Sequence, residues 1–245
     1  MNTQSHQHLK RSDMIVGKKV FKGLFYSVFK LLSFKSRTLS GFLTSWGYVI
    51  RSEAMYNHSK VPDFPDRLDM HEHLASKYIN PEDPITFMEF GVYKGESYAI
   101  WVKNNKNPRS TFHGFDTFTG LPEDWGSVKK GTFSAGGILP DINDPRNHWH
   151  IGLIQDTLPV FIKELSADTR KVIHIDVDLY NATLITLVLL QPLLRKGDVI
   201  IFDDFFTFTK SSHEFKAFYD FVDLYNMPYK PIFKCRNGHL VIEML

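Results

Sequence analysis

Four carboxylates follow directly on two apolar runs, in Ile175-Asp176-Val177-Asp178-Leu179-Tyr180 and Ile201-Phe202-Asp203-Asp204-Phe205. If these runs are neighbouring strands, Asp176, Asp178, Asp203 and Asp204 converge. Such a cluster repels itself unless a member is protonated or a cation is bound, and an all-oxygen donor set suits magnesium or another hard divalent ion. A purely structural explanation needs four separate caps or salt bridges. Asp176 and Asp178 sit two apart, so an extended chain aims them to one side, where one acid can bind metal and the other take a proton. A hydroxyl held on a metal is more acidic, which lets a nearby carboxylate deprotonate it during attack on an electrophile. His174 lies two positions before Asp176 inside the run, and an inward polar or capping role is expected of it rather than ligation.

A second constellation is Glu89-Phe90-Gly91-Val92-Tyr93-Lys94-Gly95-Glu96-Ser97, a strand running into a glycine turn and then a helix. Glycines there let backbone approach a ligand, and a helix start favours a carboxylate or phosphate. The spacing does not fit the G-x-G-x-x-G dinucleotide fingerprint. About twenty residues on, Asp116 ends the next apolar run, where an acid can accept both hydroxyls of a ribose or, equally, cap a turn. Ribose recognition suggests an adenosine without choosing between NAD and S-adenosylmethionine. Gln155 and Asp156 end a third run and can meet an adenine amino group. Asp156 or Thr157 can instead be the N-cap of a helix opening at Pro159.

The elements that must position these residues alternate. Apolar runs at Ile85–Phe90, Thr111–Phe115, His150–Ile154, Val172–Asp176 and Val199–Phe202 are separated by helical patterns, notably Ser97–Asn104, Pro159–Leu165 and Leu184–Leu194, and Glu214–Tyr225 follows the last run. Strands alternating with helices predict a doubly wound α/β fold with a parallel sheet. Ligands bind such sheets beyond the carboxyl ends of the strands, where these acids and glycines fall. Tyr229–Cys235 and His239–Met244 flank Asn237-Gly238, a hairpin signal, so five parallel strands are followed by a C-terminal antiparallel pair. Trp125, Trp149 and the many phenylalanines are expected in the core or on a substrate wall.

The chain has 245 residues, 43% of them hydrophobic and 23% charged, which fits one full-size globular domain with a small extension and excludes disorder as the main state. A single cysteine, Cys235, excludes a disulfide framework and a cysteine zinc cluster and makes the cytoplasm the expected compartment. Residues 1–60 hold ten Lys/Arg against Asp13 and Glu53 alone, a basic arm on a mildly acidic body. Between Met14 and Phe34, Val20, Leu24, Val28, Leu31 and Leu32 recur at helical spacing beside lysines. That helix is interrupted too often by charge to span a bilayer, and the segment does not read as a signal peptide. Packing on its own domain or on a second copy is the favoured reading of residues 14–34, with peripheral membrane contact the minor one. The segment Val61-Pro62-Asp63-Phe64-Pro65-Asp66 reads as a rigid connector, dividing an extension and linker, residues 1–67, from the domain proper, residues 68–245.

The phrases Phe87-Met-Glu-Phe-Gly-Val-Tyr-Lys-Gly-Glu-Ser97, Gly114-Phe-Asp-Thr-Phe-Thr-Gly-Leu-Pro122, Asp156-Thr-Leu-Pro159, Ile173-His-Ile-Asp-Val-Asp-Leu-Tyr180 and Phe202-Asp-Asp-Phe205 together resemble the macrocin O-methyltransferase family. The resemblance covers residues 85–245. It implies a Rossmann-like class I fold and an S-adenosylmethionine-dependent, magnesium-assisted O-methyltransferase acting on a hydroxyl of a sugar or another small acceptor, with no nucleic acid as partner. By position it implies Asp176, Asp203 and Asp204 as metal ligands and Asp178 as general base. Glu89, Gly91, Tyr93, Gly95 and Ser97 would surround the methionine part of the cofactor, and Asp116 would bind its ribose. The similar pattern of catechol-type methyltransferases adds Gln155 and Asp156 as cofactor contacts. One departure is the long glycine-rich connection over residues 120–147, whose length suits a lid or binding loop and which leaves the acceptor open. The first 60 residues match the family only loosely, which leaves any homo-oligomer built from them open.

Two other functions compete. Asp176-Val177-Asp178 is also the D-x-D pattern with which some glycosyltransferases hold a metal and a nucleotide sugar, and the same fold can serve a non-catalytic binding protein. The adjoining Asp203-Asp204 pair and the glycine turn favour methyl transfer.

Overall fold

The computed structural model describes residues 37–58, 60–165, 169–206, 214–235 and 238–245. The helix expected over residues 14–34 lies outside them. The chain divides into two compact units at Gly47/Tyr48. The described part of the first is the opening half of a helix, α1 (Arg37–His58), on which Trp46 is half-exposed. No helix among the described residues is long and apolar enough to cross a membrane.

In the second unit the apolar runs become strands. The elements are β1 (Asp63–Phe64), α2 (Arg67–His73) with a π-helical turn at Leu74–Tyr78, β2 (Ile85–Phe90), α3 (Glu96–Asn104), β3 (Thr111–Asp116), β4 (Asn147–Ile151), α4 (Ile154–Phe161), β5 (Arg170–Ile175), α5 (Tyr180–Leu190), β6 (Val199–Phe202), α6 (Glu214–Tyr225), β7 (Tyr229–Cys235) and β8 (Leu240–Met244). They form one sheet in the order β1-β7-β8-β6-β5-β2-β3-β4. Strands β2 to β6 are parallel, as expected, and β8 runs against both β6 and β7. Only the two-residue β1 lies beyond β7, so the expected antiparallel pair ends this side of the sheet. The last strand of the chain inserts inside it, where Leu240, Val241 and Ile242 are fully buried.

Both faces of the sheet are covered, which is why the central strands read as continuous apolar runs. On one face Met88, Phe90, Ile173, Ile175, Ile200 and Phe202 pack with Leu158 of α4, Leu187 of α5 and Phe218 of α6. On the other, Ile85, Phe87, Val172, Val199 and Ile201 pack with Met70 of α2, Leu74, and Tyr98 and Trp101 of α3. Successive side chains alternate between these faces, so Glu89, His174, Asp176 and Asp203 all share the face that α2 and α3 cover.

Three expectations are corrected. The segment around Asp63 is not only a connector, since Asp63 and Phe64 pair in parallel with Lys234 and Cys235 of β7. Strand β4 is Asn147–Ile151 rather than His150–Ile154, because Ile154 is buried as the first residue of α4. Pro159 does not open that helix but lies inside it, and the N-cap position is Leu153 rather than Asp156 or Thr157. The proline is tolerated because the carbonyl its missing N–H leaves unpaired belongs to the exposed Gln155.

Candidate active site

Backbone hydrogen bonds carry the strand pairing one residue past the ends of the strands. Gly91 N–H donates to Phe115 O (2.9 Å), Asp176 N–H to Phe90 O (2.8 Å), Asp203 N–H to Ile175 O (3.0 Å) and Gly152 N–H to Asp116 O (3.0 Å). These bonds fix, side by side at one end of the sheet, residues that are more than a hundred positions apart in sequence. There they line a cavity of about 1010 Å3. Of the residues expected at the site, Gly91, Tyr93, Asp116, Gln155, Asp176, Asp178, Asp203 and Asp204 line it.

The glycine turn is shaped by close approach. Gly91 has a φ of +85°, and a Cβ there would stand 1.8 Å from the carbonyl oxygen of Asp176. Only glycine fits. Tyr93 also holds a positive φ, of 52°, a conformation that costs a non-glycine residue about 1 kcal/mol or more. Its backbone is held there by Asp116, whose Oδ2 accepts from the amides of Val92 and Tyr93, both at 2.8 Å. Oδ1 accepts from Phe118 N–H at 2.7 Å. Asp116 thus pins the turn, and three of a carboxylate's roughly four acceptor positions are used, leaving about one for a ligand hydroxyl.

The other expected cofactor contacts stand differently. Glu89 and Ser97 are buried and bonded to each other, Ser97 Oγ donating to Glu89 Oε1 at 2.8 Å. They brace the turn from beneath and do not line the cavity. Gly95, at a φ of +77°, forms the N-cap of α3, and a Cβ on it would meet Pro140 at 2.9 Å. Asp156 is exposed in the first turn of α4, beside the cavity-lining Gln155.

Three donor residues, His174, Asp176 and Asp203, place ligand atoms within 4.8 Å of one another, the one such group among the described residues. Asp178 and Asp204 line the same cavity outside that group. The alternation expected of Asp176 and Asp178 does not hold, because the strand ends at Ile175 and Asp178 takes a left-handed φ of 60°. His174 is inward, with Nε2 3.6 Å from Asp203 Oδ1 and Nδ1 3.5 Å from Glu89 Oε2. It is the Cα partner of Glu89 across β2 and β5.

The acids differ in charge preference. Burial, and then the Asp203 charge, push the Asp176 carboxyl well above the usual carboxylate range. Burial acts the same way on Asp203, but His174 and His239 outweigh it and hold that carboxyl well below its usual range. His239 Nδ1 is 3.0 Å from Asp203 Oδ1. For His174, burial opposes protonation, yet Asp203 and Glu89 together raise it to about 10. The carboxylates of Asp176 and Asp203, this close together on the cavity, form an oxygen-donor pair whose chemistry fits a hard divalent cation.

Arg67, His239 and Glu214 were not legible as site residues. Arg67 lines the cavity from the start of α2. Glu214, fully buried at the start of α6, accepts from Asp204 N–H at 3.0 Å. Burial, followed by Asp204 and Asp176, raises its carboxyl well above the usual range. A signal existed for Arg67 alone, since a cation in the first turn of a helix opposes the helix dipole and so asks for another partner.

The connection over residues 120–147 is internally hydrogen-bonded. Leu121 and Thr132 are joined (2.9 Å), as are Trp125 and Val128, and Ala135 and Gly137 both donate to Phe118 O. Gly120, Leu121, Trp125 and Phe133 make it a wall of the cavity, the place expected of a binding loop.

Comparisons with known proteins agree with the fold. A family model described as a methyltransferase domain matches residues 88–205, from β2 through the Asp203-Asp204 pair. The fold is similar to the O-methyltransferase NovP, with a TM-score of 0.56 and 20% identity over 73% of this chain and 79% of that one. It is also similar to CalS11, described as a calicheamicin methyltransferase, with a TM-score of 0.54 and 20% identity over 80% and 91% of the two chains. An apo structure of CalS11, described as a TDP-rhamnose 3'-O-methyltransferase, gives a TM-score of 0.51 at 21% identity over 80% and 93%. No curated protein sequence matches the chain. The fold is that of the class I methyltransferases, and residues 88–205 match a methyltransferase domain.

Proposed function

We propose that the protein transfers a methyl group from S-adenosylmethionine to a hydroxyl of a sugar or another small-molecule acceptor, at a site where Asp176, Asp203 and Asp204 hold magnesium or another hard divalent ion. The observation that carries this reading is the convergence of the glycine turn, Asp116 and the acids Asp176, Asp178, Asp203 and Asp204 on one cavity. The O-methyltransferase descriptions of NovP and CalS11 support it.

When bound, S-adenosylmethionine supplies an electrophilic methyl group and the divalent ion acidifies a hydroxyl. The chain's own residues do the rest. The turn at Gly91–Tyr93 leaves backbone rather than side chain against the ligand, and Asp116 holds that turn while offering one remaining acceptor position. Asp178 takes the proton that the acceptor hydroxyl loses as its oxygen is methylated. The wall of Leu121, Trp125 and Phe133 positions the acceptor, and positioning together with metal-assisted deprotonation supplies most of the rate gain in such a transfer.

The test is to incubate the purified protein with S-adenosylmethionine, magnesium and a panel of sugar, glycoside and phenolic acceptors, following S-adenosylhomocysteine and methylated product by mass spectrometry. Product carrying the methyl on oxygen is expected. Methylation on nitrogen or carbon alone would contradict the reading.

A further inference from the structure

The guanidinium of Arg67 stands among the acids. Its Nη1 is 3.4 Å from Asp203 Oδ1 and 3.6 Å from Asp176 Oδ2, and its Nη2 is 3.8 Å from Glu96 Oε2. Arg67 begins α2, whose N-cap Asp66 accepts from the amides of Leu68 and Asp69. That end of a helix disfavours a cation, so the acids rather than the helix account for the position of the charge. A second observation marks the same place. Asp176 and Asp203, with the buried His174 behind them, make up the one group of donor residues among the described residues whose ligand atoms lie within 4.8 Å of one another.

We propose that Arg67 is a resident counter-cation that competes with the divalent ion for Asp176 and Asp203 and so sets the metal affinity of the site. The inference rests on the metal reading above. The pairs are loose, well beyond the ~2.7–2.9 Å of a tight charge-assisted hydrogen bond. The Arg67 side chain keeps 34% of its surface exposed on the cavity, so it has room to withdraw. A divalent ion sits about 2.0–2.1 Å from carboxylate oxygens when the ion is magnesium. Bound to Asp176 and Asp203, it would bring like charges together unless the guanidinium moved off, and Glu96 offers it another carboxylate. Without metal, Arg67 offsets the repulsion between Asp176 and Asp203. With metal, it is the charge that must be displaced.

The test is a titration of the full chain with Mn2+, read as free ion by electron paramagnetic resonance, for the wild type, Arg67→Met and Arg67→Lys. Methionine keeps an apolar stem without the charge, and Arg67→Gln serves the same purpose if that variant fails to fold. Removal of the charge is expected to tighten Mn2+ binding about tenfold, a size typical of coupling between two sites, while lysine stays within about threefold of the wild type. The metal-free methionine variant should also melt at a lower temperature and gain more from Mn2+ than the wild type does. Equal Mn2+ affinity in all three proteins would overturn the role of Arg67 and leave the metal site standing. Equal tightening by lysine and methionine would likewise overturn it, because charge would not be the cause. No Mn2+ binding by any of them would overturn both the metal reading and this inference.

Discussion

Gly91 and Asp176 are packed backbone to backbone, so that a Cβ on residue 91 would stand 1.8 Å from the Asp176 carbonyl oxygen. The glycine turn and the acid cluster are therefore one construction. Gly91→Ala should lower stability by about 2 kcal/mol or more, since it adds a clash with backbone to a φ that alanine adopts at a cost. Denaturant unfolding measures the loss, and S-adenosylmethionine binding should fall with it. A variant that unfolds at the wild-type midpoint would contradict this contact.

Asp116→Ala removes the acceptor of three backbone amides, those of Val92, Tyr93 and Phe118. Leaving such donors unpaired costs about 1–3 kcal/mol each where they are buried, so stability and cofactor affinity should both drop. A loss of affinity with unchanged stability would mean that the carboxylate serves the ligand and not the turn.

Asp178→Asn should spare cofactor binding and lower turnover by about a hundredfold or more, the usual contribution of a positioned base. Single-turnover kinetics with an accepted substrate would show it. Turnover within a factor of two of the wild type would remove Asp178 as the base.

A histidine group away from the site gives a pH prediction. His113 Nδ1 and His150 Nε2 are 3.1 Å apart, and the His113 and His148 rings stack at 4.8 Å. Burial, and then His148 and His150, bring His113 down to about 3, and burial lowers His150 as well. The unfolded chain thus binds more protons between about pH 3 and the ordinary histidine value near 6.5. Stability is present in full above that value and is lost as pH falls through the window, at up to about 1.4 kcal/mol per pH unit for each such group. Denaturant unfolding at pH 7.5 and pH 5 should show this loss, reduced in His113→Phe. Equal acid sensitivity in the two proteins would contradict it.

Much of this was legible in the sequence, for reasons that differ by element. The runs Ile85–Phe90, Val199–Phe202 and Tyr229–Cys235 are strands with the expected bounds. The first two are buried on both faces and so are predominantly apolar, broken only by Thr86 and Glu89 in the first. Strand β4 was misplaced by three residues because it lies at the edge of the sheet, half exposed, where Asn147 and His148 give no apolar signal. Two-residue β1 exists only through its pairing with β7, which no local pattern encodes. At the site, Asp176, Asp178, Asp203 and Asp204 were visible because parallel strands deliver their carboxyl ends to one edge. His239 and Glu214 were not, since their proximity to Asp203 and Asp204 comes from the inserted β8 and from the start of α6, which only the tertiary fold brings near.

Whether the cavity takes S-adenosylmethionine is measured by calorimetric titration of the purified protein. The titration is run with and without magnesium, and a nucleotide sugar serves as the competing ligand. Saturable one-site binding of S-adenosylmethionine is expected, which the nucleotide sugar does not displace and Gly91→Ala weakens. Binding of the nucleotide sugar with none of S-adenosylmethionine would contradict it and return Asp176-Val177-Asp178 to its reading as a glycosyltransferase motif.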